Sequence, residues 1–492
     1  MKRLCLIFSL IFAILGQNGL RAQELPKREF RGAWLHIIGN NEIRKKSTAQ
    51  TQKWICEALD ELQRSGCNAV IFQVRPQADA FYASSLEPWS KYLCGEQGRA
   101  PSPFWDPLEF ICTQAHARGM ELHAWLNPYR VTTSEKEVLC ESHIARKEPW
   151  RIVKYGKQYY FDPGLPQNVD FTLDVIKDIV SRYDVDAIHF DDYFYPYPIK
   201  GSDFPDYASF ARYGRGYSSK ADWRRDNCTA LIAKADSVIK AVKPWVRFGI
   251  SPFGIHRNSS RDSRGSDTRG LSTYDDLYAD IPLWVKEDYI DYYAPQLYWK
   301  IGHKLADYAT LAKWWNDSNF GDHLYIGQNI ATLWEPDCND PSKTQLEEKM
   351  RLSRELPNVD GNIWWPGWDL CKNVSGIADS LQTRYQRHPA LIPAYTAIDS
   401  TPPPPVALFT SSGRLLRWEP VQTDDPMQKA CSFVVYRFPP GAEADISKSE
   451  YIYCITRANS VKIPASPWRY RYKVSVCDRC WNESAPSKEI EL

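Results

Sequence analysis

Two adjacent carboxylates, Asp191 and Asp192, end the apolar run Asp186-Ala187-Ile188-His189-Phe190 and lead into Tyr193-Phe194-Tyr195-Pro196. Acids at the end of a buried strand cost free energy unless they are paired or put to use. Such a pair suits glycosidic cleavage. That chemistry needs one ionised carboxylate to stabilise or attack an oxocarbenium-like centre and one protonated acid to serve the leaving oxygen. The alternative is a structural pair that caps the next helix or meets an arginine. Strand alternation puts His189 and Asp191 on one face and Phe190 and Asp192 on the other, which makes Asp191 the better candidate for a pocket. His189 beside it would favour the ionised form through a hydrogen bond or positive charge.

The proton donor is harder to place, because Asp291 falls at the beginning of its strand and so at the wrong end. Asp192 serves if the chain turns directly after Asp191, and Asp267, Asp162 or Glu335 serve if their loops fold over the cleft. Asp192 and Asp267 lead this group. Asp275 and Asp276 precede a helical pattern and read as N-terminal caps. Binding candidates cluster at other strand ends: Arg75, which would neutralise a buried acid or hold substrate; His123, Trp125 and Asn127 on one face, followed by Arg130; and Gln296, Tyr298 and Trp299. Tyr193, His256 and Trp365 complete the set. Amides suit sugar hydroxyls, and indoles suit sugar faces or fill core. Without a spaced cluster of His and acids, His123 and His256 read as hydrogen-bonding residues rather than metal ligands, and no metal or cofactor is implied.

These residues need a scaffold that brings many strand ends together. From Arg28 short apolar runs alternate with amphipathic segments, the pattern of repeated βα units. Eight strands are expected, at 32–38, 69–74, 121–126, 186–191, 247–251, 290–297, 324–330 and 361–365, with helices at 48–65, 107–118, 169–183, 221–242, 274–287, 305–316, 342–356 and 373–385. The eight units over residues 28–388 suit an α/β TIM barrel, (β/α)8, with reactive groups at the carboxyl ends of the strands. A doubly wound sheet would want a Gly-rich phosphate turn after an early strand, and none is present. Prolines in 389–405 predict a stiff linker. Beyond it, 406–492 alternates in strand fashion, as in a small immunoglobulin-like β-sandwich.

Lys and Arg number 61 against 60 Asp and Glu, so no global field recruits nucleic acid. Residues 1–22 pair Lys2 and Arg3 with an apolar run from Leu4 to Leu15 and Ala22, the pattern of a cleavable signal peptide, with no membrane span expected elsewhere. The mature chain is therefore expected to be exported, to a periplasmic, cell-surface or extracellular location. The cysteines follow no metal-binding spacing, and Cys477 to Cys480 has no second pair near it.

In order along the chain stand Phe30-Arg31-Gly32-Ala33-Trp34, Val74-Arg75-Pro76, Ala124-Trp125-Leu126-Asn127-Pro128, Ile188 to Pro196, Ser251-Pro252-Phe253-Gly254-Ile255, Gly265-Ser266-Asp267-Thr268 with Tyr274 to Asp280, and Ala294 to Trp299. With these seven motifs the chain resembles the bacterial glycosyl-hydrolase-like family ten. Its tail, with Trp418, Val474 to Arg479 and Asn482-Glu483-Ser484, resembles a fibronectin type III module. The resemblance implies a glycoside hydrolase, and a divisome-associated relative acts on peptidoglycan glycan strands stripped of their peptides. His189-x-Asp191 is also similar to the basic-residue-x-Asp of retaining α-glycosidase barrels, where the Asp is the nucleophile, with His here in place of Lys or Arg. The partner expected is thus a glycan, with association to the cell envelope through the C-terminal module. A barrel that binds glycan without cutting it and an α-glycosidase for another polysaccharide are the rival readings.

Overall fold

The computed structural model describes residues 24–318, 321–336 and 340–492, so the expected signal peptide lies outside the described residues. Among the described residues ten strands precede the C-terminal module: β1 Phe30–Leu35, β2 Ala69–Arg75, β3 Glu121–Leu126, β4 Ile152–Tyr155, β5 Gln158–Phe161, β6 Ala187–Phe190, β7 Arg247–Ile250, β8 Tyr292–Tyr293, β9 His323–Asn329 and β10 Val359–Trp365. Eight of them close a parallel barrel in the order β1-β2-β3-β6-β7-β8-β9-β10, and β10 returns to β1 with Gly361 opposite Phe30. Each of the eight expected strands is one of these staves, so the TIM barrel is observed.

The outward faces are apolar because helices must pack on them. Val70, Phe72 and Val74 of β2 and Ile55, Leu59 and Leu62 of helix Thr48–Arg64 belong to one buried cluster. That helix starts where Ser47 and Gln50 form a reciprocal capping box, which satisfies two amide donors at its exposed end. Inside, the barrel is filled by aromatic side chains, with Phe30 stacked on Tyr325 at 4.0 Å between centroids and Tyr292 tilted against both.

Three expected elements are interrupted. The strand at 290–297 keeps ladder geometry only at Tyr292–Tyr293; Pro295 has no N–H to offer, and Gln296 continues as isolated bridges to Phe253 and Gly327. The helix at 274–287 divides into Thr273–Asp276 and Ile281–Lys286, because Tyr278 is left-handed at φ +59° and Pro282 opens the second piece. In the helix at 373–385, Asn373 and Ser375 are left-handed and only the second half is helical. An additional hairpin, β4–β5, turns at Gly156 with φ +59° and stands outside the barrel.

The expected linker is packed along its first half: Leu391, Ile392 and Tyr395 are buried, and Leu391 exchanges backbone bonds with Lys27 and Glu29. Seven further strands, β11 Leu408–Ser412, β12 Leu415–Glu419, β13 Ser432–Phe438, β14 Ile452–Thr456, β15 Ser460–Lys462, β16 Arg471–Cys477 and β17 Ile490–Glu491, form sheets ordered β11-β12-β15 and β14-β13-β16-β17. Leu416 and Trp418 alternate inward on β12 and meet Phe433, Val435 and Val474. This sandwich sits against the amino-terminal end of the barrel. Arg457 binds Asp186 at 2.8 Å and His116 at 2.9 Å, and Arg479 binds Asp184 at 2.6 Å. Gly119, at φ +70°, lets the Ile455 carbonyl approach so closely that a Cβ would lie 2.5 Å from it. The eleven described cysteines are free thiols, Cys477 and Cys480 among them. No described helix is long and apolar enough to cross a membrane.

Candidate active site

The carboxyl ends of the strands surround a cleft of about 870 Å3. Among the described residues Asp191 and Asp192 are the acids that line it, and Arg130 and Lys157 are its lysine or arginine cations. β6 ends at Phe190 and the chain bends at Asp192, so both neighbouring carboxylates reach the same space. The immediate turn that Asp192 required is therefore present.

Asp191 is 4 % exposed and is fixed by nitrogen donors: Asn127 Nδ2 at 2.9 Å, Trp125 Nε1 at 3.1 Å and the Tyr193 amide at 3.4 Å. Asn127 cannot turn its amide over, because its Oδ1 accepts the backbone N–H of Arg130 at 2.7 Å. Burial pushes the Asp191 pKa up, opposed by the Arg130 charge and by these donors. Asp192 is 3 % exposed and accepts the Tyr197 hydroxyl. Burial and the charge of Asp191 raise its pKa to about 7. Gln296, held to the Ser251 carbonyl at 2.9 Å, and Tyr197 pull in the other direction. The pair thus comprises one acid surrounded by N–H donors and one poised to hold a proton near neutrality.

Aromatic rings form the walls. Tyr193 and Tyr197 lie 5.1 Å apart between centroids, Arg130 stacks on Tyr193 at 4.7 Å, and Trp365 meets Trp125 edge to face at 6.2 Å. Tyr298 also lines the cleft. Asp191, Asp192, Trp125, Arg130, Tyr193, Gln296, Tyr298 and Trp365 are therefore brought together as expected, with Asn127 behind Asp191.

Other expected site residues lie elsewhere. Arg75 is wholly buried and spent on Glu87, at 2.6 Å, and on the carbonyls of Asn127 and Pro128 at 2.6 and 3.1 Å. It clamps the turn that carries Asn127 and neutralises Glu87, not Asp191. His123 lies in mid-barrel between Glu121 and Tyr292. His189 bonds Trp34, Ser251 and Tyr292 rather than Asp191, and burial keeps its pKa well below the usual range, so it supplies no positive charge to its neighbour. His256 packs on Trp314 and bonds Thr273 outside the cleft. Trp299 sits behind the wall, edge-on to Phe253. Asp267 is exposed and away from the cleft, because Arg257 ties its loop back onto Asp262 and Asp275. Asp162 accepts from Ser209 and Glu335 pairs with Lys300. Asp275 and Asp276 do not precede a helix as caps: both lie within Thr273–Asp276, where Asp276 accepts the Ser272 amide and Asp275 pairs with Arg257, and the residue that caps the following helix is Asp280.

Sequence reasoning missed Tyr197, and it missed Lys157, Tyr155, Gln158 and Tyr160 of the hairpin, which form one side of the cleft. The signal for the hairpin was Gly156-Lys157 between two short β-favouring runs, Ile152-Val153-Lys154-Tyr155 and Gln158-Tyr159-Tyr160-Phe161.

The family model described as Glycosyl hydrolase-like 10 matches residues 29–344. The chain belongs to that family. It is similar to the glycosyl hydrolase YngK of Bacillus subtilis, at 40% identity over 94% of this chain and 93% of that one. The glycosyl hydrolase DigH of Escherichia coli K12 is 38% identical over 72% of this chain and 87% of its own length. Among solved structures, the glycoside hydrolase domain of PgaB from Bordetella bronchiseptica aligns over 73% of this chain and 99% of that domain, with 12% identity and a TM-score of 0.44. The protein is a glycoside hydrolase.

Proposed function

We propose that this family member is an exported enzyme that cleaves peptidoglycan glycan strands, with Asp191 as the ionised carboxylate at the anomeric carbon and Asp192 as the proton donor. The observation that carries the reading is the divided environment of the two acids in one cleft. Asp191 is met by three N–H donors, which favour its charged form, while Asp192 has a pKa of about 7. Arg130 and Lys157 support the choice of glycan. Among the described residues neither forms an ion pair, although both line the cleft. Strands stripped of their stem peptides carry free lactyl carboxylates, which such cations would meet. Export rests on the sequence pattern of residues 1–22, and association with the cell envelope is assigned to the C-terminal module.

The test uses purified mature protein on isolated, peptide-free glycan strands, with reducing ends and product masses as readout. Wild type is expected to release shorter strands, and Asp191→Asn and Asp192→Asn to bind them with at least about a thousandfold less release, the scale of loss when a group central to such a reaction is removed. Binding without release by wild type would make the barrel a glycan holder. Release from a neutral polysaccharide alone would move the substrate elsewhere.

A further inference from the structure

A chain of hydrogen bonds runs through the barrel interior from the cleft floor to the C-terminal module, and its direction can be read from both ends. At the cleft, Trp34 Nε1–H can only donate and lies 3.1 Å from His189 Nε2, so that nitrogen accepts. The Ser251 hydroxyl lies 3.0 Å from the same atom. Burial keeps His189 neutral, which leaves its proton on Nδ1, 2.9 Å from the Tyr292 hydroxyl oxygen. At the other end, burial would push the Glu121 carboxyl up, but Arg247 and the His123 bond outweigh it and hold the group below its ordinary value, ionised. His123 Nε2–H therefore donates to Glu121 at 2.9 Å. Burial keeps His123 neutral as well, so its Nδ1 accepts from the Tyr292 hydroxyl at 2.7 Å. The two readings meet at Tyr292, which donates once and accepts once.

The remaining oxygen of Glu121 is held by Arg247 and by the indole N–H of Trp481. Trp481 comes from the sandwich and adopts φ +62°, a conformation that a bulky residue keeps only when its surroundings impose it. Glu121, His123 and Trp125 share one face of β3, and Trp125 donates directly to Asp191.

We propose that Trp481 is a positioning residue for the cleft: through Glu121 the C-terminal module sets opposite tautomers on His123 and His189, and thereby orients the Trp34 indole and the Ser251 hydroxyl at the cleft floor. The module is then part of the catalytic unit rather than a detachable spacer. Glu121→Gln tests the direction. With the Arg247 guanidinium paired at that position and the Trp481 indole N–H donating to it, the amide oxygen must face them and its NH2 must face His123. His123 Nε2 then has to accept, Tyr292 reverses, and His189 presents Nε2–H against the Trp34 N–H.

In full-length protein with 15N-labelled histidine, long-range 15N–1H spectra are expected to show His123 as Nε2–H and His189 as Nδ1–H, and Glu121→Gln to exchange the two. This readout needs no substrate. The kinetic arm rests on the proposed glycosidase reading: on peptide-free glycan strands kcat is expected to fall about tenfold or more in Glu121→Gln and several-fold in Trp481→Phe, with KM within about twofold, the size of loss typical of supporting residues. Trp468→Ala, on an exposed part of the sandwich, is the control and should match wild type. Finding His189 as Nε2–H in wild type, or unchanged tautomers in Glu121→Gln, overturns the chain. Exchanged tautomers with unchanged kcat overturn its role in positioning. If Glu121→Gln does not fold, the wild-type spectrum and Trp481→Phe decide.

Discussion

Tyr197→Phe is the sharpest probe of the carboxylate assignment. The substitution keeps the ring that faces Tyr193 and removes only the hydroxyl that Asp192 accepts. That hydroxyl favours the charged form of Asp192, whose pKa of about 7 results from burial and the Asp191 charge acting against it. A hydrogen bond to a charged group contributes about 1.5–3 kcal/mol. At ~1.4 kcal/mol per pH unit, losing it raises the Asp192 pKa by about one to two. If Asp192 must be protonated to donate to the leaving oxygen, kcat/KM in wild type falls as pH rises through about 7. In Tyr197→Phe the same alkaline limb should move up by about one to two pH units, so that the variant overtakes or approaches wild type at pH 8 to 9. The assay is release of reducing ends from peptide-free glycan strands at low substrate across pH 5 to 9. An alkaline limb that stays in place, or moves down, would refute Asp192 as the proton donor.

Two further outcomes follow from the same structure. Lys157→Met, at the hairpin tip, should raise KM for strands with free carboxylates by up to about fivefold, matching an exposed ion pair of ~0.2–1 kcal/mol, and the difference should vanish at high salt or after the carboxylates are esterified. Arg457→Met should destabilise the protein by about 3 kcal/mol in urea melts, the lower end expected when one partner of a buried pair is removed, because His116 still holds Asp186. Burial would raise the Asp186 pKa, but His116 and Arg457 hold it well below the ordinary value; the stability it confers is therefore full above about pH 4 and is lost as pH falls through its depressed folded value, so the gap between variant and wild type should close in strong acid.

The barrel was legible because its information is local and periodic. Alternating faces on β3 and β6 placed Trp125, Asn127 and Asp191 correctly, and the end of the β6 run at Phe190 fixed where the acids emerge. What remained hidden depends on partners far apart in the chain or on loop shape. Nothing near Arg75 marks Glu87 as its counter-ion, and Asp267 was drawn to the cleft only because nothing in the sequence tells that Arg257 folds its loop back. His189 beside Asp191 suggested a charged neighbour; complete burial next to another imidazole makes it neutral instead. The contribution of Trp481 lies 360 residues from Glu121, beyond any periodicity.

The pairing of β1 with β10 has a consequence for the order in which the molecule assembles. The first stave gains its second neighbour only when Gly361 to Trp364 exist, and the segment leading into it is gripped later still, with Lys27 bound to Glu483 and the Leu25 carbonyl to Ser449. A chain emerging amino end first must therefore keep residues 25–35 waiting until nearly all of it has been made. Barrel closure is then a late event dominated by contacts of high sequence separation, slow to form and exposed to aggregation meanwhile.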